Sequence, residues 1–203
     1  MRFYAVLDTN VLVSYLLTGN HQSAVWKIME YVRNGTIVPL THPEIITEYT
    51  EVLKRRKFNF KEEDIRTLIN AFTELGLACE RVNTVVSLPD PNDQVFFDVT
   101  CARDDAYLVT GNLKHFVRNG HVVSPAEMLQ IISLSEFPLH SLCESGLDYS
   151  KIERRELISR FDDVVRALYQ NALETGVSDM SIEEINEEIR LAREEHHRKF
   201  NEA

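Results

Sequence analysis

Residues 2–10 read RFYAVLDTN, a short apolar run that is followed directly by a polar turn containing one carboxylate. The run predicts a buried β-strand at residues 2–7, and a helix is predicted at residues 11–17 after the turn. Asp8 is therefore expected at the carboxyl end of a strand. In open α/β sheets this is the edge at which ligands bind.

Strands and helices continue to alternate from this first strand to about residue 132. Further strands are predicted at residues 36–40, 81–86, 106–110 and 121–123. Helices are predicted between them, one beginning at Pro43 and another spanning residues 62–75 and ending at Gly76. This alternation is typical of an α/β fold with a mainly parallel sheet between helices.

The last third of the chain has a different character. Residues 133–150 follow no regular period, and the sequence beyond them is purely helical. We predict a domain at residues 1–132, a linker at residues 133–150 and a helical extension at residues 151–203. Ser181 and Glu184 form a capping-box pattern for the last helix, which carries only a narrow apolar stripe. A stripe this narrow needs a partner surface.

Composition limits the class of protein. No stretch of the sequence is suited to spanning a bilayer, which excludes a membrane protein. The three cysteines, Cys79, Cys101 and Cys143, lack the spacing of a zinc site or disulfide framework, which favours a reducing cytoplasm. The net charge of −10 argues weakly against nucleic acid, but residues 133–203 contribute 16 acids against 9 Lys or Arg.

Three acids occupy positions at which folding can bring them together. They are Asp8, Glu48 in the helix that begins at Pro43, and Asp93 at the start of the helix before the strand at residues 106–110. Each also has an ordinary structural interpretation. Asp8 and Asp93 are suited to capping a helix or a turn, and Glu48 to the solvent-exposed edge of a helix.

Short motifs at the strand–helix junctions favour a shared site. They are Asp8-Thr9-Asn10, Asp90-Pro91-Asn92-Asp93 and Leu108-Val109-Thr110-Gly111-Asn112. In this order they resemble the PIN-domain nucleases, most closely the toxin components of bacterial type II toxin–antitoxin pairs, over residues 1–132. The resemblance implies a PIN-like (Rossmann-like) three-layer sandwich with a C-terminal helical extension. It also implies a ribonuclease, with Asp8, Glu48 and Asp93 as catalytic and metal-binding acids and Asn112 at the edge of the metal site.

The chemistry of carboxylates is an independent reason to expect a metal. Carboxylates without basic neighbours repel one another, and a hard cation such as Mg²⁺ or Mn²⁺ relieves that repulsion. Such an ion also neutralises charge on a phosphodiester oxygen during hydrolysis. We expect Thr9, Asn10 and Thr110 to hold the carboxylates by hydrogen bonds. The resemblance to PIN nucleases implies cleavage of RNA that leaves a 5′-phosphate.

One position departs from the family pattern. Many PIN nucleases carry a fourth acid where this chain has Asn112, whose amide supplies a neutral oxygen instead of a charge. The choice between one metal ion and two therefore stays open. Asp98, one helical turn after Asp93, is a candidate substitute, although a solvated helix face is the simpler interpretation. His115 is a candidate contact to the phosphate of RNA.

The only dense basic run is Lys54-Arg55-Arg56-Lys57, about two helical turns past Glu48. Such a run is usually a helix end exposed to solvent. It is also close enough to the predicted site to guide an RNA backbone toward it. Both interpretations stay open, and we include these four residues among the predicted RNA-binding residues.

The acidic segment at residues 181–200 is similar to the C-terminal segment of some antitoxins that partner PIN toxins. One hypothesis is that it folds over the groove of its own chain, or of a neighbour, and inhibits it. Acidic residues could do so, or Arg190 or Arg193 paired with the metal-site carboxylates. The alternative is a homodimer that forms through the apolar stripes. A separate antitoxin protein is another predicted partner.

The leading functional hypothesis is a toxin-like PIN ribonuclease. The alternative is a weakly active or non-catalytic RNA-binding regulatory PIN module, because Asn112 removes one charge. A third hypothesis, an aspartyl-phosphate phosphatase, ranks low. That chemistry usually needs a second acid two residues after the first-strand aspartate, and this position is Asn10.

Overall fold

A computed structural model describes residues 1–135 and 149–201. Within these ranges five strands form one sheet: β1 (Phe3–Leu7), β2 (Ile37–Thr41), β3 (Leu77–Ala78), β4 (Ala106–Val109) and β5 (Val122–Val123). The strand order is β3-β2-β1-β4-β5, and every pairing among them is parallel. The predicted parallel sheet is confirmed.

Helices pack around this sheet. They are α1 (Thr9–Leu17), α2 (Ala24–Asn34), α3 (Pro43–Leu53), α4 (Glu62–Leu75), α5 (Gln94–Thr100), α6 (Pro125–Ser135), α7 (Tyr149–Thr175) and α8 (Ile182–Asn201). α2 packs against α6, while α3 packs against α4 and α5. The predicted α/β sandwich with C-terminal helices is confirmed.

The central strand β1 sets the position of the first polar turn. Ala5, Val6 and Leu7 have no exposed surface, because β1 lies between β2 and β4 and is covered by helices. Leu7 pairs in register with Val109, so β1 and β4 end at the same level. The residues that follow the two strands are therefore neighbours at one edge of the sheet.

The predicted strand at residues 81–86 is wrong. The residues after α4 instead form β3 (Leu77–Ala78), which pairs with the end of β2. The segment that follows is held by a side chain of α5. Gln94 donates from Nε2 to the carbonyl oxygen of Val86 (3.0 Å) and accepts from the backbone N–H of Leu88 (3.0 Å). Side-chain hydrogen bonds thus hold a segment whose alternating pattern imitates a strand.

α7 belongs to the hydrophobic core. Phe161, Leu168 and Ala172 on this helix have no exposed surface, and α7 packs against α1 and α4. The helix ends before Gly176, which adopts a left-handed conformation (φ 73°). α6 continues to Ser135, and the rest of the predicted linker before α7, with Cys143, lies outside the described residues.

α8 begins at the predicted capping box. The backbone N–H of Ser181 donates to Glu184 Oε2 (2.8 Å), and that of Glu184 donates to Ser181 Oγ (3.2 Å). The helix packs against α1 and α3 of its own chain and buries Ile185, Ile189 and Ala192 there. None of the helices described at residues 1–135 and 149–201 is long and apolar enough to cross a membrane.

Candidate active site

Asp8 lies at the carboxyl end of β1 and is only 4% exposed. Its Oδ2 accepts hydrogen bonds from Asn10 Nδ2 (2.7 Å) and from Thr110 Oγ1 (2.5 Å). Asn10 is itself oriented by Gly111, whose backbone N–H donates to Asn10 Oδ1 at 2.9 Å. A Cβ on Gly111 would approach the same oxygen to 3.1 Å. The motifs after β1 and β4 therefore orient one buried carboxylate.

Glu48 reaches the same region from α3. Thr9 Oγ1 donates to Glu48 Oε1 at 2.6 Å. The next residue, Tyr49, donates its hydroxyl to the carbonyl oxygen of Leu7 and so ties α3 to the end of β1. The side chain of Glu48 is only 12% exposed, so it does not lie at the solvent-exposed edge of its helix.

Asp93 ends a short 3₁₀ turn (Pro91–Asp93) and has a side chain that is 4% exposed. Its Oδ2 lies 3.0 Å from Nδ1 of His115. The other ring nitrogen of His115 lies 2.9 Å from Nδ2 of Asn112. Asn112 therefore contacts the acids through His115, and its backbone N–H donates to Thr110 Oγ1 (2.9 Å).

Arg193, from α8, inserts its guanidinium among these acids. Its Nε and Nη2 lie 3.0 Å and 2.9 Å from the two oxygens of Glu48. Its Nη1 lies 2.9 Å from Asp93 Oδ1 and 2.9 Å from Asp90 Oδ2. The Arg193 side chain is 10% exposed. One buried cation is therefore shared by carboxylates from α3 and from the turn before α5, with Asp8 close by.

The charges of this cluster depend on one another. Burial raises the pKa of Asp8, and the nearby Asp93 raises it further. Burial also raises the pKa values of Glu48 and Asp93 above their usual range, although Arg193 opposes the shift. Burial alone would lower the pKa of Arg193, but Glu48, Asp93 and Asp8 raise it. The acids therefore need a cation, and the guanidinium supplies it.

The donor set has the chemistry of a site for Mg²⁺ or Mn²⁺, which prefer carboxylate and amide oxygens. Its present arrangement does not suit a metal ion. Among the residues that the structure describes, no group of three His, Cys, Asp or Glu side chains is placed to hold one. Both oxygens of Glu48 face Arg193. Asp8, Glu48 and Asp93 could hold a metal ion only once this guanidinium has left.

Asp98 does not lie on a solvated helix face, and that interpretation is wrong. Its side chain is 3% exposed. It accepts hydrogen bonds from Thr84 Oγ1 (2.6 Å), Gln94 Nε2 (2.8 Å) and Arg81 Nε (2.9 Å). These bonds attach the segment before α5 to the helix. Since its oxygens are engaged there, Asp98 is not a substitute for the missing fourth acid.

The basic run after α3 is partly covered by α8. Arg55 pairs with Glu188 (3.0 Å) and Glu195 (2.8 Å) of that helix. Lys54 pairs with Glu62 (2.7 Å), while Arg56 and Lys57 are exposed at the surface. The acidic residues of α8 therefore lie on the path predicted for an RNA backbone.

The other basic residues of α8 contact different partners. Arg190 pairs with Glu187 and Glu194 of its own helix and is exposed. Nδ1 of His196 lies 2.6 Å from Glu51 Oε1 on α3. Of the two arginines named from the sequence, Arg193 alone reaches the acids. They lie three residues apart on one helix, so only the docking of α8 distinguishes them.

Asp90 is a contact of Arg193 that was not expected from the sequence. Its Oδ1 accepts from the backbone N–H and from the Nδ2 of Asn92, both at 2.9 Å, which leaves Oδ2 for Arg193. Burial alone would raise the pKa of Asp90, but the hydrogen bonds from Asn92 and Arg193 lower it below its usual range. The sequence signal that could have identified Asp90 is its position in the motif Asp90-Pro91-Asn92-Asp93.

A profile of the PIN domain matches residues 4–114, more than half of the 203-residue chain. The chain belongs to the PIN-domain family. PIN domains are generally nucleases, usually with divalent metal ions, and act on nucleic acids. The matched segment of this PIN protein contains Asp8, Glu48, Asp93 and Asn112, whereas Arg193 lies outside it. Comparisons with curated proteins and with solved structures find no match.

Proposed function

We propose that the protein is a divalent-metal-dependent endoribonuclease, a hydrolase that cleaves RNA phosphodiester bonds with Asp8, Glu48 and Asp93. The supporting observation is the convergence of three buried carboxylates, from β1, α3 and the turn before α5, around one cation. A buried cluster of negative charges is unfavourable unless a cation compensates it. In a PIN domain this makes the cluster the proposed catalytic centre.

Each residue of the cluster has a separate task in this proposal. Asp8, Glu48 and Asp93 hold Mg²⁺ or Mn²⁺, with the amide oxygen of Asn112 at the edge. When bound, the metal ion neutralises charge on the phosphodiester and makes water a stronger nucleophile at neutral pH. Hydrogen bonds from Thr9, Asn10 and Thr110 keep the carboxylates oriented.

RNA binding is assigned to residues around this cluster. His115, which lies between Asn112 and Asp93, is exposed and faces the edge at which a phosphate would enter. The basic run at residues 54–57 attracts the RNA backbone electrostatically. A hydrolysis of this kind leaves a 5′-phosphate and requires no covalent enzyme intermediate.

The test is a cleavage assay on mixed RNA with Mg²⁺, Mn²⁺ or a chelator, run with Asp8→Asn and Asp93→Asn. We expect each substitution to reduce the rate by at least about 100-fold, because each removes a charged ligand. Asp98→Asn is the matched control, since it changes a buried aspartate whose hydrogen bonds lie outside the cluster. Because Arg193 pairs with two of the acids, all variants are also made with Arg193→Ala. Equal cleavage by wild type and both variants would show contamination.

A weakly active or non-catalytic RNA-binding module is the second candidate. It is favoured by Asn112, which supplies no charge where many PIN nucleases have an acid. Calorimetric titration of the Arg193→Ala chain with Mg²⁺ and Mn²⁺, in which the guanidinium no longer occupies the acids, distinguishes the two candidates. A protein that binds RNA but no metal below millimolar concentration would support the module.

The resemblance to toxin components supports a role as the toxin of a toxin–antitoxin system in the cytoplasm, with a separate antitoxin as partner. Growth arrest on expression of the Arg193→Ala chain, abolished by adding Asp8→Asn, is the expected observation. A homodimer is also proposed. Because Ile185 and Ile189 are covered by their own chain, it would use another surface or exchange α8 between copies. Light scattering measures it directly.

A further inference from the structure

We propose that α8 is a built-in inhibitor of the carboxylate cluster, in which Arg193 takes the place of the divalent cation and the helix covers the path of RNA. In this arrangement the metal and the substrate reach the cluster only after α8 has moved away. The inference rests on the proposed nuclease function and concerns the regulation of the same site.

The first observation is the set of contacts made by Arg193. Its guanidinium engages both oxygens of Glu48 and one oxygen each of Asp93 and Asp90 at 2.9–3.0 Å. Pairing of this kind gives the carboxylates the positive charge that a metal ion would give them. The guanidinium occupies the space between Glu48 and Asp93, and its positive charge would repel a divalent cation held by the same carboxylates. Binding of Arg193 and binding of the ion therefore compete.

The second observation concerns the acidic residues of α8. Glu188 and Glu195 present their carboxylates to Arg55, at the distances at which an RNA phosphate would pair with it. α8 thus offers an arginine to the acids of the cluster and acids to the basic run beside it. Both contacts that RNA and its metal ion would need are taken by one helix.

The third observation is that α8 covers the mouth of the cluster at several points. His196 contacts Glu51 on α3, and Nε2 of His197 lies 2.8 Å from Oδ1 of Asn92 in the turn before Asp93. At the other end of the helix, a Cβ on Gly111 would meet Ile182 at 3.2 Å. The helix therefore spans the opening from the end of β4 to α3.

Release of α8 is feasible because charged contacts make up much of its interface. Ion pairs exchange with competing ions, and salt weakens the more exposed ones, such as Arg55 with Glu195, more than the buried pairs of Arg193. The connection to α7 is a turn in which Asp179 is exposed. α8 also lies outside the segment that matches the PIN domain. The inhibitory helix therefore lies outside the matched domain and is held on it by charged contacts together with a short apolar stripe.

The test uses the full-length chain with Arg193→Ala, and Arg190→Ala as the matched control on the same helix. Mn²⁺ binding is measured by calorimetry and RNA cleavage by gel assay. Removing an internal competitor should strengthen Mn²⁺ binding and speed cleavage by about 10- to 100-fold. Arg190→Ala should match wild type in both, because Arg190 pairs only with Glu187 and Glu194 of its own helix.

The two readouts separate this inference from the proposed function. Unchanged Mn²⁺ binding in Arg193→Ala would overturn the inference, whatever the cleavage rate. Stronger Mn²⁺ binding without cleavage by any variant would support the inference for the cation site and would remove the ribonuclease proposal alone.

Arg193→Ala leaves buried carboxylates unpaired, which risks misfolding. Two further variants are therefore measured, a double variant of α8 and Arg193→Lys. Glu188→Gln combined with Glu195→Gln leaves the carboxylate cluster intact and loosens α8 at Arg55. It should shift Mn²⁺ binding in the same direction by a smaller factor. Arg193→Lys keeps the charge and should remain closer to wild type than Arg193→Ala. A double variant indistinguishable from wild type in both readouts would overturn the inference.

Discussion

α7 and α8 both follow the segment that matches the PIN domain and both pack on it, but only α8 directs charged side chains at the carboxylate cluster and the basic run. The ion pairs of α7, with Arg33 and Glu74, lie at other surfaces. α7 inserts Phe161, Leu168 and Ala172 into the hydrophobic core, with no exposed surface on any of them. α8 buries its small apolar stripe at the surface of α1 and α3 and directs Arg193 at carboxylates.

The difference determines what each helix can do. Apolar burial is not directional and does not compete with ions or phosphates. Neither salt nor RNA is therefore expected to displace the apolar contacts of α7. α8 places a cation among the acids of the cluster, as a metal ion would, and places carboxylates on Arg55, as an RNA backbone would place phosphates. Only α8 can therefore be displaced by the ligands of the site.

We expect the largest effect from deleting both helices, compared with deleting α8 alone. A chain that ends at residue 148 loses α7 and α8 and should aggregate, because the faces of α1 and α4 that α7 covers become exposed. A chain that ends at residue 178 loses only α8 and should stay folded. Gel filtration and thermal unfolding followed by circular dichroism measure both. A folded, monomeric protein without α7 would contradict the comparison.

The next effect compares one side chain from each helix. Phe161→Ala should reduce the free energy of unfolding by about 3–5 kcal/mol, because it leaves a cavity in the core. Ile189→Ala should reduce it by about 2 kcal/mol, since this residue packs at the rim of the fold. Urea unfolding gives both values. Leu173→Ala is the control, because Leu173 on α7 is 45% exposed and its change should be about 0.5 kcal/mol at most.

Salt should have a moderate effect on how firmly α8 is held and a smaller one on α7. Raising NaCl from about 0.1 M to about 1 M shortens the screening length from about 10 Å to about 3 Å. Amide hydrogen exchange should become several-fold faster in α8 and change much less in α7, because the fully buried apolar face of α7 holds it in addition to its ion pairs with Arg33 and Glu74. Mass spectrometry of peptides from each helix measures the rates. Equal acceleration in both helices would mean that charge does not hold α8.

Acid should release the start of α8 before α7. The hydrogen bonds with Ser181 lower the pKa of Glu184 below its usual value of 4.5. When it is ionised, Glu184 stabilises the folded state at pH values above the pKa that it has in the unfolded chain. This contribution is lost as the pH falls through the lower pKa that Glu184 has in the folded chain. The protection of amides in the first turn of α8, measured against the intrinsic exchange rate at each pH, should therefore fall below pH 4.5, a loss that Glu184→Gln should reduce.

The smallest expected effect is that of Arg190→Ala. This residue is exposed and pairs within its own helix, so its removal should not change the melting temperature measurably. A clear loss of stability would show that the exposed ion pairs of α8 contribute as much as its buried ones.

Local sequence information predicted most of the fold. The apolar run before Asp8, the proline at the start of α3 and the capping box at Ser181 each act within a few residues, and each is confirmed. The strand predicted at residues 81–86 fails for the opposite reason. Its alternation is real, but distant side chains such as Gln94 and Asp98 take the place of a neighbouring strand.

The sequence by itself determined the parallel α/β core and placed Asp8 after a strand, Glu48 within a helix and Asp93 at the start of another helix. Only the tertiary structure decided that Asp98 is buried and that Arg193, and not Arg190, lies among the acids. The reason is geometric. The two arginines lie almost one helical turn apart in the same acidic helix, and the rotation at which α8 packs on α1 and α3 selects between them.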